Sequence, residues 1–382
     1  MPAPGHVNPT LPLVAELVRR GHRVSYATGP ELLDAVRAAG AEPVEVPFVL
    51  PDVPTGGLAA ADPEEIAARF EAFVVSVERV FPVLAEHAAA ERPDALCGDA
   101  MSPVVPLVAQ RAGLPHAMLH PSFASNEHFS LRRDVIGAGR TGAPPSPFVR
   151  VAERVDRFAR EQGLEPVPFG TPGELNLVFL PREFQIAGDT FDDSFVFLGP
   201  SLGDRADEGW DGPDPVLLVS LGTTFNDRPD FFRTCVEAFG DTGWQVVMAI
   251  GDKVDPDTLG PLPPNVVARA QVPQVGVLRR ARAFVTHSGM NSTMEALLLG
   301  VPQVGVPQMI EQQANAGRVE ELGCGRRLDP ETLDAATLRE AVDEVAADPD
   351  VRAAAEAFGA RMREVDGPAA GADALEWFVG AR

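Results

Sequence analysis

The chain has 382 residues, of which 45% are hydrophobic, and its formal net charge is −23. Its length favours about two domains, and its composition is typical of a globular protein and not of a disordered one. The acidic balance argues against a nucleic-acid-binding role, which needs a basic face, although a few local donors can still bind a small anion.

Residues 1–9 are rich in Pro and Gly and predict a loop. The first half then alternates helical and strand-like segments, which is typical of a parallel, doubly wound sheet. Helices are predicted at 11–18, 31–39, 64–90 and 102–113, and strands at 23–27, 44–49, 94–97 and 116–119. Residues 121–150 interrupt this alternation with many Pro and Gly residues and predict a long functional loop, with regular structure resuming near Val149.

The composition changes near Gly199-Pro200, where a cluster of Asp, Gly and Trp begins. We therefore predict an N-terminal domain at 1–195, a linker at 196–212, a C-terminal domain at 213–360 and a helical tail at 361–382 that could pack back on the first domain. Strands are predicted in the second half at 215–221, 244–250, 266–268, 283–286 and 303–306, and helices at 231–239, 275–281, 291–299, 312–322, 353–365 and 372–379. The predicted fold is α/β, with two halves of similar size and a cleft between them.

One strand-to-helix turn, His287-Ser288-Gly289, is the strongest candidate for a binding site. An apolar strand ends there and a helix begins near Asn291, so free N–H groups and the positive end of the helix dipole could bind an anion. Gly289 would let a ligand approach the backbone, and Asn291 or Ser292 could cap the helix. The same residues fit an ordinary capped helix. The chain has no Walker loop, and no GxGxxG motif follows any of its early strands.

The wider segment resembles the donor-binding signature of the GT-B glycosyltransferases of family 1, and within them the bacterial macrolide glycosyltransferases. The matching residues are Val272-Pro273-Gln274, His287-Ser288-Gly289, Asn291 to Glu295, Gly300-Val301-Pro302, Pro307-Gln308, Glu311-Gln312 and Gly323. Further matches at Gly5-His6, at 180–185 and at 197–200 extend the resemblance over nearly the whole chain. It implies two Rossmann-like domains facing a cleft.

The resemblance implies an inverting, metal-independent transfer of a sugar, with glucose from UDP-glucose favoured, to a hydroxyl of a hydrophobic natural product such as a macrolide. His6 aligns with the catalytic base and Asp99 with the carboxylate that orients it. An acceptor hydroxyl needs a positioned imidazole to take its proton, and a carboxylate on the other ring nitrogen fixes the tautomer. Taken alone, the two residues also fit a loop histidine and a helix-capping aspartate.

On the donor side, the resemblance assigns contacts to Thr223, Gln274, His287, Gly289, Asn291, Ser292, Thr293, Glu295, Glu311 and Gln312. His287 and the backbone of the following turn would hold the diphosphate, with Thr223 as a further phosphate contact. Gln274 and Glu295 would contact the nucleoside, Glu295 through the ribose hydroxyls. Glu311 and Gln312 would read sugar hydroxyls, although Glu295 and Glu311 also fit solvated helix carboxylates.

The sequence of this chain departs from the pattern of the family at two points. The family has Trp where this chain has Gln271, so the face on which the base stacks differs and recognition of uracil or thymine is open. The family also has a complete strand before its Gly-His loop, whereas Gly5 follows Met1 by four residues. That strand is expected either to be supplied by residues outside this numbering or to be missing from the start.

Three phenylalanines, Phe73, Phe123 and Phe129, could line an acceptor site, and they are equally good candidates for the core. The expected partners are a nucleotide sugar and a small hydrophobic acceptor, with no cofactor, metal, nucleic acid or membrane, in a monomer or homodimer. Three scattered cysteines and no apolar stretch of spanning length favour a cytoplasmic protein. The alternatives are a transferase using a dTDP-deoxysugar, a nucleotide-sugar epimerase and a non-catalytic helper with the transferase fold.

Overall fold

The computed structural model describes residues 1–48, 63–131, 147–168, 170–212, 214, 216–224 and 226–381. Most of the predicted loop at 121–150, from residue 132 to 146, therefore lies outside the described residues. The chain divides into two compact units. The first contains the described chain up to Ser201 together with the stretch from Val365 onward, and the second contains Leu202–Glu364.

The first unit contains only parallel strand pairs among its described residues. Its strands are β1 (Ser25–Thr28), β2 (Glu42–Glu45), β3 (Leu96–Asp99), β4 (His116–His120), β5 (Leu175–Val178) and β6 (Phe195–Phe197). β1 pairs with β2, and β3, β4, β5 and β6 form a sheet in that order. Every residue of β5 is buried, as expected for a strand covered on both faces.

Helices accompany these strands. They are α1 (Pro4–Val7), α2 (Leu11–Arg19), α3 (Leu33–Ala38), α4 (Pro63–Glu91), α5 (Val104–Ala112) and α6 (Pro147–Glu161). α1 corrects the prediction of a loop at the start of the chain. Its proline occupies the first helical position, where a missing N–H is tolerated, and the N–H groups of His6 and Val7 both donate to the Ala3 carbonyl.

The second unit is built around a six-stranded parallel sheet. Its strands are β7 (Val216–Ser220), β8 (Gln245–Ala249), β9 (Val266–Arg269), β10 (Ala281–Thr286), β11 (Gln303–Gly305) and β12 (Gly325–Arg327), and its helices are α7 (Pro229–Phe239), α8 (Gln274–Leu278), α9 (Met290–Leu298), α10 (Ile310–Glu321), α11 (Ala335–Ala347) and α12 (Pro349–Met362). The order is β12-β11-β10-β7-β8-β9, which is that of a Rossmann-like, doubly wound sheet. The order reverses between β7 and β10, where such folds place their ligands.

The last helix, α13 (Gly367–Gly380), belongs to the first unit. It packs on α2, and Leu375 and Phe378 share a buried cluster with Leu13. Arg20, which directly follows α2, also donates to the carboxylate of Asp373 at 2.6 Å. In the part of the chain that the structure describes, no helix is long and apolar enough to cross a membrane.

Candidate functional site

His6 and Asp99 are in direct contact. His6 Nδ1 lies 2.6 Å from Asp99 Oδ2, and the two side chains are 25% and 11% exposed. Asp99 is the last residue of β3, so its carboxylate stands at the carboxyl edge of the sheet, where α/β folds place functional groups. The structure thus joins the two residues predicted as base and orienting carboxylate, and the Nε2 nitrogen is the one not directed at Asp99.

The Asp99 carboxyl remains ionised at neutral pH. Burial raises its pKa, but electrostatic interactions with the Met1 amino group and with His6, and hydrogen bonds from His6 and the Met101 N–H, outweigh burial and hold the pKa below its usual range. The Met101 N–H donates at 2.7 Å to the second carboxylate oxygen. One oxygen is thereby fixed by the backbone while the other faces the imidazole, which holds the ring in one orientation.

Hydrogen bonds of Thr10 hold the end of α1, the short helix that carries His6. The Thr10 hydroxyl donates to the Val7 carbonyl at 2.8 Å, so its oxygen accepts the hydrogen of the Tyr26 hydroxyl, also at 2.8 Å. Thr10 and Val7 are both buried. Burial together with this chain of hydrogen bonds fixes the backbone position from which His6 projects.

In the second unit, the predicted anion-binding turn has an unusual backbone. Ser288 has a φ of 60°, in the left-handed region that non-glycine residues rarely adopt. Its N–H donates to the Thr286 hydroxyl at 3.1 Å, and its carbonyl accepts from the buried Asn315 amide at 2.8 Å. These two side chains hold the strained conformation, which turns the chain from β10 into α9.

The His287 ring packs between two glycines. A Cβ on Gly289 would lie 2.4 Å from the imidazole Nε2, and one on Gly222 would lie 2.6 Å from its Cε1. A side chain at position 289 would therefore collide with the imidazole of His287. The sequence predicted a glycine there only for the close approach of a ligand. The imidazole thus lies against the turn that follows β7, at the point where the strand order reverses.

His287 is neutral at physiological pH. Burial lowers its pKa to about 4, against a small opposing effect of the Ser220 carbonyl. Its Nδ1 is buried and makes no hydrogen bond of normal geometry within the described chain. A neutral imidazole can donate one hydrogen bond to a phosphate oxygen without adding a charge.

At the start of α9, one of the N–H groups predicted to bind the diphosphate already has a partner within the helix. Thr293 N–H already donates to the Gly289 carbonyl at 2.9 Å, and the Thr293 side chain is fully buried. This corrects the inclusion of Thr293 among the diphosphate-binding backbone groups, because its N–H belongs to the first bond of the helix. Asn291 and Ser292 directly precede Thr293 in the first turn of the helix and are half-buried, so they retain the position expected of anion-binding residues.

The residues predicted to contact the nucleoside meet on one side of α9. Gln274 Nε2 donates to Glu295 Oε2 at 2.7 Å and to the Ser292 hydroxyl at 3.2 Å. Arg205, which the sequence analysis did not single out, donates to Glu295 Oε1 at 2.6 Å. Glu295 is only 8% exposed, so it is not the solvated helix carboxylate that was its alternative interpretation.

The remaining donor residues are placed as follows. Thr223 is exposed in the turn after β7, and Gln271 is exposed ahead of α8. Glu311 is half-buried in the first turn of α10. Gln312 is buried and its side-chain oxygen accepts from the Gln308 N–H at 2.7 Å, which fixes the start of that helix. The roles assigned to these residues stay predictions.

The three acceptor candidates are found in two aromatic clusters. Phe123 contacts Phe129 and stacks on the fully buried Phe184, with ring centroids 5.9 and 5.7 Å apart. Phe73 instead meets Phe48 at 5.8 Å. Phe129 is buried, which favours its interpretation as a core residue, whereas Phe73 and Phe123 are half-buried and retain both interpretations.

A cavity of about 430 Å³ lies beside the segment that follows β4. Its lining is mostly polar and consists of Ser125, Asn126, Glu127, Ser130, Gly170, Pro172, Thr190, Asp192, Ser194 and Phe195. None of the predicted catalytic, donor or acceptor residues lines it. We also find no group of three His, Cys, Asp or Glu side chains placed to hold a metal ion within the described ranges.

Known proteins resemble this chain over its whole length. Residues 233–376 match the family described as erythromycin biosynthesis protein CIII-like, C-terminal domain. The chain is 38% identical to NDP-glycosyltransferase YjiC of Bacillus licheniformis, covering 99% of this chain and 96% of that protein. It is 35% identical to the oleandomycin glycosyltransferase of Streptomyces antibioticus, covering 100% and 90%. The crystal structure of CalG4, the calicheamicin glycosyltransferase, superposes with a TM-score of 0.84 at 37% identity, covering 99% and 96%.

Proposed function

Because this chain belongs to the family 1 glycosyltransferases of the GT-B fold, we propose that it transfers glucose from UDP-glucose to a hydroxyl of a hydrophobic natural product such as a macrolide. One observation carries the choice of a ribonucleotide donor over a 2′-deoxyribonucleotide: Glu295 is held by Gln274 one turn into α9. A carboxylate there can accept from both hydroxyls of a ribose while the helix start binds the diphosphate. Two similar proteins are named for oleandomycin and calicheamicin, which supports an acceptor of that class.

The proposed reaction is one displacement with inversion at the anomeric carbon. His6 takes the proton of the acceptor hydroxyl, whose oxygen forms the new bond to that carbon. The bond between the carbon and the diphosphate breaks, and its electron pair leaves with the nucleoside diphosphate. Asp99, 2.6 Å from His6 Nδ1, stabilises the imidazolium that forms.

The departing diphosphate is stabilised in this proposal by the start of α9. N–H groups and the positive end of the helix dipole favour the negative charge that develops on the leaving oxygen, and neutral His287 adds a possible donor. These groups act where other transferases use a cation, so we propose a reaction that needs no metal.

A dTDP-deoxysugar is the second candidate donor, and the exposed Gln271 is the observation that leaves the choice between uracil and thymine open. The family has a tryptophan at this position, so the contacts of this chain with the base differ from those of its relatives. An amide can hydrogen-bond to the edge of a base but offers no extended stacking face.

The test is a donor panel against a polyketide acceptor panel. UDP-glucose and dTDP-sugars are incubated with and without each acceptor, and free nucleotide and glycosylated product are measured by mass spectrometry. We expect UDP release only when an acceptor is present, in equal amount to the product. Glycosylated product formed with dTDP-sugars but not with UDP-glucose would contradict the donor assignment. Conversion of the donor sugar without acceptor would indicate an epimerase, and inactivity with every pair would favour a helper protein.

A further inference from the structure

Arg205 is a charged side chain beside the proposed nucleoside contact, and no sequence motif accounts for it. It lies in the single 3-10 turn Gly203–Asp207, directly after the division between the two units. Its Nη1 donates to Glu295 Oε1 at 2.6 Å, across 90 positions of the sequence. Most surface arginines form ion pairs with exposed carboxylates, and such pairs contribute little. Arg205 instead pairs with a nearly buried carboxylate, where the loss of one partner is costly.

Arg205 is itself held in place by a closed set of contacts. Its Nε donates to Glu208 Oε1 at 2.9 Å, and the other oxygen of Glu208 accepts from the Val275 N–H at 3.0 Å. Val275 follows Gln274, whose amide donates to Glu295. The contacts therefore run from the 3-10 turn through α8 to α9 and return to Arg205, so Glu295 is fixed from two sides.

The geometry leaves Glu295 able to accept two further hydrogen bonds. A carboxylate offers about four lone-pair positions, two on each oxygen. Arg205 occupies one on Oε1 and Gln274 one on Oε2, while the second Arg205 contact, at 3.5 Å, is too long to occupy another. One position per oxygen remains, which suits the paired 2′- and 3′-hydroxyls of a ribose.

The charge of Glu295 also requires a positive partner such as Arg205. Glu295 is 8% exposed and one turn from the proposed diphosphate site, so without a counter-charge it would be poorly solvated and would repel that anion. The guanidinium of Arg205, 2.6 Å from Glu295 Oε1, balances the charge of this carboxylate. The Coulombic attraction of Glu295 and hydrogen bonds to Glu208 and Glu295 correspondingly raise the pKa of Arg205 against the effect of its burial.

We propose that Arg205 is a positioning residue that makes this site selective for ribonucleotides over 2′-deoxyribonucleotides, by fixing and charge-balancing Glu295. The inference rests on the proposed function, since it takes Glu295 as the ribose contact. Arg205 touches no substrate in this proposal and acts only through the carboxylate.

The experiment measures the dissociation constants of UDP and dUDP by calorimetry. We expect wild type to bind UDP about tenfold or more tightly than dUDP, as the loss of a hydrogen bond to a charged group predicts. R205M should bring this ratio to within about threefold of one, and R205K should restore it in part because the charge remains. R280M removes the exposed pair of Arg280 with Asp214 in the same unit and should leave the ratio unchanged.

Equal weakening of UDP and dUDP binding by R205M would overturn the inference, because a merely structural role predicts that result. If R205M does not fold, R205K and E295Q decide. E295Q should abolish the selectivity, and adding R205K to it should have no further effect on the ratio. A further change would show that Arg205 acts elsewhere. If the wild-type protein prefers UDP to dUDP but transfers no glucose, the proposed function is contradicted and the inference about Arg205 is not. If it transfers glucose but does not prefer UDP to dUDP, the inference is contradicted and the proposed function is not.

Discussion

The two units place a histidine beside the end of a strand in opposite surroundings. His6 in the first unit is partly exposed and lies 2.6 Å from a carboxylate. His287 in the second is packed between glycines, has a pKa lowered to about 4 and contacts the backbone of a strained turn. A histidine can thus serve proton transfer where a carboxylate stabilises its charge, and neutral hydrogen bonding where burial disfavours that charge.

The largest expected effect separates these two roles. H6A should lower kcat by about 10²- to 10⁴-fold, the usual contribution of a general base, with the UDP dissociation constant changed less than about twofold. Steady-state kinetics with UDP-glucose and calorimetry with UDP provide the two readouts. Normal turnover in H6A would show that His6 is not the base.

H287A is the reciprocal control. Loss of a donor to phosphate should weaken UDP binding by about tenfold, while kcat at saturating donor falls less than about threefold. A drop in kcat as large as that of H6A, with UDP affinity unchanged, would break the comparison by giving both histidines the same role.

The pH dependence of stability tests the buried histidines. His120 lies on β4, and burial lowers its pKa to about 4, partly offset by a hydrogen bond to Asn176 and by Asp99. Since the unfolded chain binds more protons between pH 6.5 and 4, stability is complete above 6.5 and falls as pH drops through this window. For His120 and for His287, whose pKa values are both lowered to about 4, we expect a loss of about 3 kcal/mol each.

Hydrogen exchange followed by mass spectrometry can assign this loss to each unit. H120Q should flatten the pH dependence of protection in β4 peptides only, and H287Q should flatten that of β10 peptides only. Protection in β10 that is equally sensitive to pH in wild type and H287Q would show that His287 is not held neutral by burial.

A pair of glycine substitutions tests the packing around His287. Gly222 and Gly323 have φ values of 74° and 69°, in the left-handed region that disfavours alanine at both positions. At Gly222 a Cβ would lie 2.6 Å from the imidazole, whereas at Gly323 the nearest atom, the Ala354 Cβ, lies at an ordinary 3.7 Å. G222A should therefore lower the free energy of unfolding by about 1–3 kcal/mol more than G323A, measured by urea denaturation of the second unit. Equal losses would argue against a tightly packed ring.

The smallest expected effect concerns the anchoring of His6. Y26F removes only the hydroxyl that donates to Thr10 and should destabilise the first unit by about 1 kcal/mol in urea denaturation. The contact of Thr10 with the Val7 carbonyl remains, so kcat should fall less than about threefold. A loss of activity approaching that of H6A would mean that this hydrogen bond, and not Asp99, mainly orients the imidazole.

The long apolar strands and the helices that follow them could be predicted from sequence because their periodicity is local. β7 and β10 lie close to their predicted limits, and the turn after β10 is where the motif indicated. β6 has only three residues, too few to show alternation, and its pairing with β5 depends on residues far apart in the chain. α11 did carry a signal that was missed: Asp334 caps its first turn, and Leu338, Val342 and Val345 recur on one face.

The candidate site was predictable wherever a short motif carries it, and not where a distant partner completes it. His6 and Asp99 were paired by resemblance, and the structure brings them into contact. Arg205 lies in a Gly- and Asp-rich stretch without periodicity, and its partner is 90 residues away. The strain at Ser288 likewise depends on Asn315, which no local pattern connects to that turn.

The position of α13 has a consequence for synthesis of the protein. Leu375 and Phe378 complete a cluster with Leu13, and Gly371 packs closely against that same leucine. On the ribosome, the first unit must therefore wait with an uncovered apolar surface until the whole second unit has been translated and residue 378 has left the exit tunnel. A chaperone that binds nascent chains would have a long-lived target at α2, whose partner helix is translated only after the second unit.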